Sequence, residues 1–142
     1  VIVLAPEQVT AIRAHAERTY PEECCGVLLG RAGVEPPRIE LLREIQNVHE
    51  EERRRRFLID PRQFLAAEKE ARTRGLAVLG VYHSHPDHPA QPSEHDRQHA
   101  WPNLHYVIVA VERGAAGEMT SWTLSEDRSA MRPERLAVLA AV

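Results

Sequence analysis

The chain has 142 residues, 43% of them hydrophobic and 27% charged, with a formal net charge of −3 at pH 7. That length suits one domain around one core, the charge balance offers no basic field for nucleic acid, and no apolar run approaches the ~20 residues a membrane span needs. The opening VIVLAPEQV is too short and lacks the basic flank of a secretory leader, and the only two cysteines, Cys24 and Cys25, are neighbours whose disulfide would be strained. A cytoplasmic protein with reduced, packed thiols is therefore expected, and a redox or ligand role for the thiols is the alternative.

In chain order, Pro6 to Thr19 places Val9, Ile12 and Ala16 at helical spacing and predicts a first helix that ends before Pro21. Cys25 to Leu29 reads as an apolar strand with Glu23 at its mouth, and Ile39 to Val48 as a longer strand. The run Glu50-Glu51-Glu52-Arg53-Arg54-Arg55-Arg56 is nearly self-neutralising. On a helix it would pair at i,i+4; a solvated loop is the default, and a patch docking an acidic partner is the rival. Asp60 and Pro61 form an N-cap and first helical residue, and Phe64, Leu65, Glu68 and Ala71 continue a second helix to Gly75. Leu76 to Tyr82 reads as a buried strand. Leu104 to Val111 and Glu118 to Leu124 read as strands around a turn at Arg113 to Gly117, while Leu136 to Val142 stays open between a strand, a docking helix and a homodimer contact. Alternating elements of this kind predict an α/β layer fold in a single domain over residues 1–142, its core at about 4–124.

The chemistry concentrates in His83-Ser84-His85-Pro86 and Ser93-x-x-Asp96. Residues i and i+2 of a strand share a face, so His83 and His85 can converge on one ion, and Ser93 stands where a helix could begin with Asp96 in its first turn. Two imidazoles and one carboxylate are a ligand set that leaves one zinc position open for water. Each piece has a plainer reading, because Ser-x-x-Asp also resembles a capping box and a lone His-x-His is weak. The run from His83 to His88 further fits the His-x-His-x-Asp-His pattern of metallo-β-lactamases. The chain after His88 is short for that fold, which also leaves Glu23, Ser93 and Asp96 unexplained. A nucleobase deaminase would need a Cys-x-x-Cys that does not occur.

Glu23-Cys24-Cys25-Gly26, His83-Ser84-His85-Pro86 and Ser93-x-x-Asp96 together resemble the JAMM (MPN-type) zinc metalloprotease family, in its compact prokaryotic form, from about Leu4 to about Leu124. The resemblance implies a curved mixed β-sheet flanked by helices, of the cytidine-deaminase-like (JAB1/MPN) type. It implies one Zn²⁺ per chain on His83, His85 and Asp96, Glu23 as general base and acid with Glu22 as its adjacent rival, and Ser93 stabilising an oxyanion. It also implies cleavage of amide or isopeptide bonds after the Gly-Gly tail of a ubiquitin-like or sulfur-carrier protein. A tail approaching a metal beside a strand edge can add to the sheet through main-chain hydrogen bonds, and that pairing is expected here. A non-catalytic MPN scaffold is the alternative from another class, and a metallo-β-lactamase-like hydrolase a further one.

Overall fold

The computed structural model describes residues 1–139. Its elements are β1 (Ile2–Leu4), α1 (Pro6–Thr19), β2 (Cys25–Gly30), β3 (Ile39–Ile45), α2 (Pro61–Thr73), β4 (Ala77–Pro86), α3 (Glu94–His99), β5 (His105–Glu112), β6 (Ala115–Leu124), β7 (Met131–Glu134) and β8 (Leu136–Val138). Six strands form one mixed sheet in the order β3-β2-β4-β5-β6-β7, in which only β4 and β5 run parallel. β1 and β8 make a separate parallel pair. Among the described residues no helix is long and apolar enough to cross a membrane.

Alternation along the strands sends side chains to two helix-covered faces. On one face Leu28, Tyr82, Val107, Val109 and Val111 pack with Val9, Ile12 and Ala16 of α1. On the other, Cys25, Val27 and Leu29 meet Ala67 and Ala71 of α2, and Val81 and Tyr106 extend the apolar layer together with Phe57 and Ile59. Cys24 and Cys25 are fully buried free thiols, one in each layer. Burial pushes the Cys24 thiol up to about 12 and raises Cys25 as well, so both act as small apolar side chains.

Several boundaries differ from the sequence reading for reasons visible in the contacts. β3 stops at Ile45 and not Val48, because Asn47 turns the chain: its amide donates to the Glu23 and Arg56 carbonyls at 2.9 and 3.0 Å, and its Oδ1 accepts from His49 and Leu58 N–H at 3.1 and 3.0 Å. The charge run lies in the exposed loop that follows, where Arg53 reaches Glu22 at 3.3 Å and Arg55 reaches Glu52 at 3.9 Å. The β5–β6 turn is Arg113-Gly114 alone, both at positive φ (51° and 86°) as a two-residue type I′ hairpin requires, so β6 begins at Ala115. Of the open readings for the tail, Leu136–Val138 is a strand on β1; residues 140–142 lie outside the described part.

Candidate active site

β4 is interior to the sheet, with His83 opposite Cys25 of β2 on one side and Ile108 of β5 on the other, so its polar end is fixed by backbone pairing on both flanks. His83 and His85 project to the α2 side and are 1% and 6% exposed. Ser84, between them, points to the opposite face and accepts a hydrogen bond from the Cys24 N–H at 2.8 Å. After Pro86 the chain turns at Asp87 (φ 58°), whose carboxylate accepts from the Tyr20 hydroxyl at 2.6 Å and the Arg113 N–H at 2.8 Å. Those bonds tie the loop to the β5–β6 hairpin and direct Asp87 away from the histidines. The loop then brings the Pro89 carbonyl to 2.9 Å from His85 Nδ1. A carbonyl only accepts, so Nδ1 carries the proton and Nε2 keeps its lone pair.

Ser93 is the N-cap of α3, and its Oγ accepts from the Asp96 N–H at 3.0 Å while Asp96 Oδ2 accepts from the Ser93 N–H at 2.9 Å. The same Oδ2 lies 3.3 Å from His83 Nε2 and 3.1 Å from His85 Nε2, and the two nitrogens are 3.1 Å apart. The capping box and the ligand reading thus coincide. Donor atoms at the corners of a tetrahedron with zinc bonds of 2.0–2.1 Å are separated by ~3.3–3.4 Å, so this triangle matches one face of such a site. A lone pair on each Nε2 would repel at this distance, and either a proton on one of them or a cation between them removes the repulsion; donors of this type at these separations suit a cation. The residues present therefore fit the ion.

Glu23 sits at the mouth of β2, 3% exposed, with its N–H donating to the Arg53 carbonyl at 2.7 Å and its carbonyl accepting from Asn47. One carboxylate oxygen lies within 4.8 Å of ligand nitrogens on both His83 and His85, and Oε1 has no hydrogen-bond partner. Glu22 instead reaches out to Arg53 at the surface. Burial, with the neighbouring Asp96 charge, pushes the Glu23 carboxyl up to about 9. Burial also holds His83 below its ordinary value, in the neutral form a ligand needs. For Asp96 burial acts upward, but the two imidazoles and the Ser93 N–H outweigh it and keep the carboxyl well below the usual range.

A cavity of about 540 Å³ opens onto His83 and Asp96, walled by Phe57, Phe64, Trp101 and Tyr106. Docking of a peptide on the strand that carries the histidines is not available at His83, because both flanks of β4 are already paired there; the sheet's edge strands are β3 and β7. Asn47, Phe57 and the Pro89 carbonyl escaped the sequence reading. No local motif marks them, since each reaches the site only through the folded chain.

A central strand that delivers a His-x-His pair to the first-turn carboxylate of a short helix, beside a buried glutamate, defines a metallopeptidase-type site on an α/β sheet. The chain belongs to the prokaryotic homologues of the JAB domain, a family that it matches over residues 6–125. It is similar to the CysO-cysteine peptidase of Mycobacterium tuberculosis (strain ATCC 25618 / H37Rv), 30% identical over 125 residues that cover 87% of this chain and 83% of that protein. It is also similar to the desampylase of Haloferax volcanii, 31% identical over 132 residues, 88% of this chain and 90% of the other. Among solved structures, the solution structure of a Desulfitobacterium hafniense protein superposes with a TM-score of 0.86 at 30% identity, over 100% of this chain and 95% of that one. A JAB1/MPN domain protein from Archaeoglobus fulgidus shares the fold, with a TM-score of 0.60 at 17% identity over 99% of this chain and 98% of that one.

Proposed function

We propose that this domain is a zinc-dependent peptidase that hydrolyses the amide or isopeptide bond after the C-terminal Gly-Gly tail of a ubiquitin-like or sulfur-carrier protein. The observation that carries the reading is the triangle of His83 Nε2, His85 Nε2 and Asp96 Oδ2, with separations of 3.1–3.3 Å. The relatives named as a CysO-cysteine peptidase and a desampylase support the substrate class.

His83, His85 and Asp96 would hold the ion. What zinc supplies when bound there is Lewis acidity toward a carbonyl and toward water. Glu23, with one carboxylate oxygen within 4.8 Å of ligand nitrogens on both histidines, takes the proton of the attacking water and hands it to the leaving nitrogen, so an amine departs neutral. Ser93 Oγ already accepts from the Asp96 N–H, which leaves its own hydroxyl proton to donate to the developing oxyanion. The apolar walls of Phe57, Phe64 and Trp101 exclude water from one side of the reacting centre. Glycines at the last two tail positions avoid crowding beside Ser93 and the ion.

The test uses fusions of the host's ubiquitin-like proteins ending in Gly-Gly, Ala-Ala or Val-Gly, followed over time with and without a zinc chelator. Gly-Gly conjugates are expected to be cleaved far faster, chiefly through kcat/KM, with chelation stopping the reaction. Equal rates for all tails, or cleavage that survives full zinc removal, refutes the proposal. Stoichiometric zinc with no hydrolysis would favour the non-catalytic scaffold.

A further inference from the structure

We propose that Phe57 is a positioning residue that sets the ring of His83 for metal binding by stacking, in the role a hydrogen bond plays for His85. The inference rests on the reading of His83 as a ligand. Ligating imidazoles are ordinarily oriented by a hydrogen bond from the ring nitrogen that does not face the ion. His85 has that bond, from Nδ1 to the Pro89 carbonyl at 2.9 Å. His83 does not: it is 1% exposed, and its Nδ1 has no partner among the described residues. For Nε2 to offer its lone pair, Nδ1 carries the proton, and that N–H meets no acceptor that would choose one ring angle.

A different contact fixes the plane. The Phe57 ring lies against the His83 ring with centroids 4.5 Å apart and planes 26° from parallel, while His85 touches it at 4.9 Å and a 59° tilt. Rotation of His83 about its Cβ–Cγ bond would drive its edge into the phenyl face, so the stack restricts the direction of Nε2.

Phe57 is itself held. The Asn47 side chain grips the peptide groups on either side of it, donating to the Arg56 carbonyl at 3.0 Å and accepting from the Leu58 N–H at 3.0 Å. With its remaining amide hydrogen Asn47 holds the Glu23 carbonyl at 2.9 Å. One amide therefore sets both the base and, through Phe57, a ligand ring; the loop before α2 is part of the metal site although it supplies no ligand.

The experiment compares zinc affinity, by competition with a chromophoric chelator, in the parent, Phe57→Leu and Phe57→Tyr, alongside thermal unfolding of each metal-free protein. Groups that touch a metal ligand from behind and orient it typically contribute about 10–100-fold in affinity, so Leu is expected to weaken zinc by about that factor and Tyr by less than about threefold. A role in packing alone would alter the unfolding temperature and leave zinc affinity at 25 °C unchanged. Parent-like affinity in the Leu variant, or equal losses in Leu and Tyr, overturns the proposal. Should the Leu variant not fold, Phe57→Met, with a flexible non-aromatic side chain, carries the same expectation and the same refutation. A parent that binds no zinc, or a His85→Ala variant that binds it as tightly as the parent, would instead remove the ligand assignment on which this rests.

Discussion

Replacing Glu23 by Gln separates the catalytic role of this carboxyl from its cost to the fold. Burial, with Asp96 adding, lifts its pKa from 4.5 to about 9 in the absence of a metal. The folded state thus binds this proton more tightly than the unfolded chain does, so stability falls as pH rises from 4.5 toward 9 and is level outside that window. At 1.36 kcal/mol per unit, the penalty relative to a neutral side chain is at most about 1 kcal/mol at pH 5.5, about 3 at pH 7 and about 5 at pH 8.5. Gln is close to isosteric with the protonated acid and does not titrate. The metal-free Gln variant is therefore expected to be more stable than the metal-free parent, by an amount that grows with pH and reaches on the order of 10 °C in Tm near neutrality. Zinc should narrow the gap, because a cation beside Glu23 favours its ionised form. The assay is thermal or urea unfolding of both proteins at three pH values after chelation and after zinc addition, with turnover of a Gly-Gly conjugate measured in parallel. Turnover should fall by orders of magnitude in Gln while zinc stays bound, and Glu22→Gln should be mild. Parallel pH–stability curves for parent and variant would refute the burial argument, and retained turnover would refute the role.

Asp96→Asn and His85→Ala should each lose at least tenfold in zinc occupancy after dialysis, whereas the exposed His88→Ala should lose none; equal loss in His88→Ala would point back to the His-x-His-x-Asp-His pattern. Ser93→Ala should keep its zinc but lower kcat by about 10²–10³, with about 1 kcal/mol of stability lost with the cap; parent-like kcat would free Ser93 from the oxyanion role. At Gly80, a methyl group would stand 2.1 Å from the His105 carbonyl oxygen, in the backbone of the neighbouring strand. Gly80→Ala should therefore cost at the upper end of the ~1–3 kcal/mol of overpacking, and a neutral result in urea unfolding would contradict the β4–β5 register.

Where the sequence was legible, the information was local. α1 and α2 begin at Pro6 and Pro61 as the spacing predicts, and Gly75 takes the positive φ of 71° expected just past a helix end. The convergence of His83, His85 and Asp96 could be anticipated because a strand's two-residue period and a helix's first turn place these side chains by neighbours alone. What stayed hidden depends on partners far along the chain. The end of β3 is decided by Asn47 reaching Glu23 and Leu58, and β8 exists as a strand because Leu136 meets Ile2. The hairpin at Arg113-Gly114 misled the reading because Arg is an unusual residue at φ 51°; the Asp87 carboxylate accepting from its N–H supplies the reason it is held there. The charge run takes the default reading of an exposed loop, in which Arg53 pairs with Glu22 and Arg55 with Glu52 and not at the i,i+4 spacing that a helix would give.

Ser93-x-x-Asp96 shows why the plain and the functional reading of a motif need not compete. A carboxylate that served only as a cap would be free to turn either oxygen to the backbone, and one that served only as a ligand would have to be ordered when the ion binds. Here Oδ2 accepts from the Ser93 N–H and faces both Nε2 atoms, so the hydrogen bond that starts α3 also selects the side-chain rotamer that the proposed ligand needs. The rotamer entropy is then lost on folding and not on metal binding. His85 is pre-set in the same way by a loop carbonyl and His83 by an aromatic ring. Each member of the triangle is thus oriented by a contact outside it, which is why three donors can stand 3.1–3.3 Å apart in a buried cluster without a broad choice of alternative geometries.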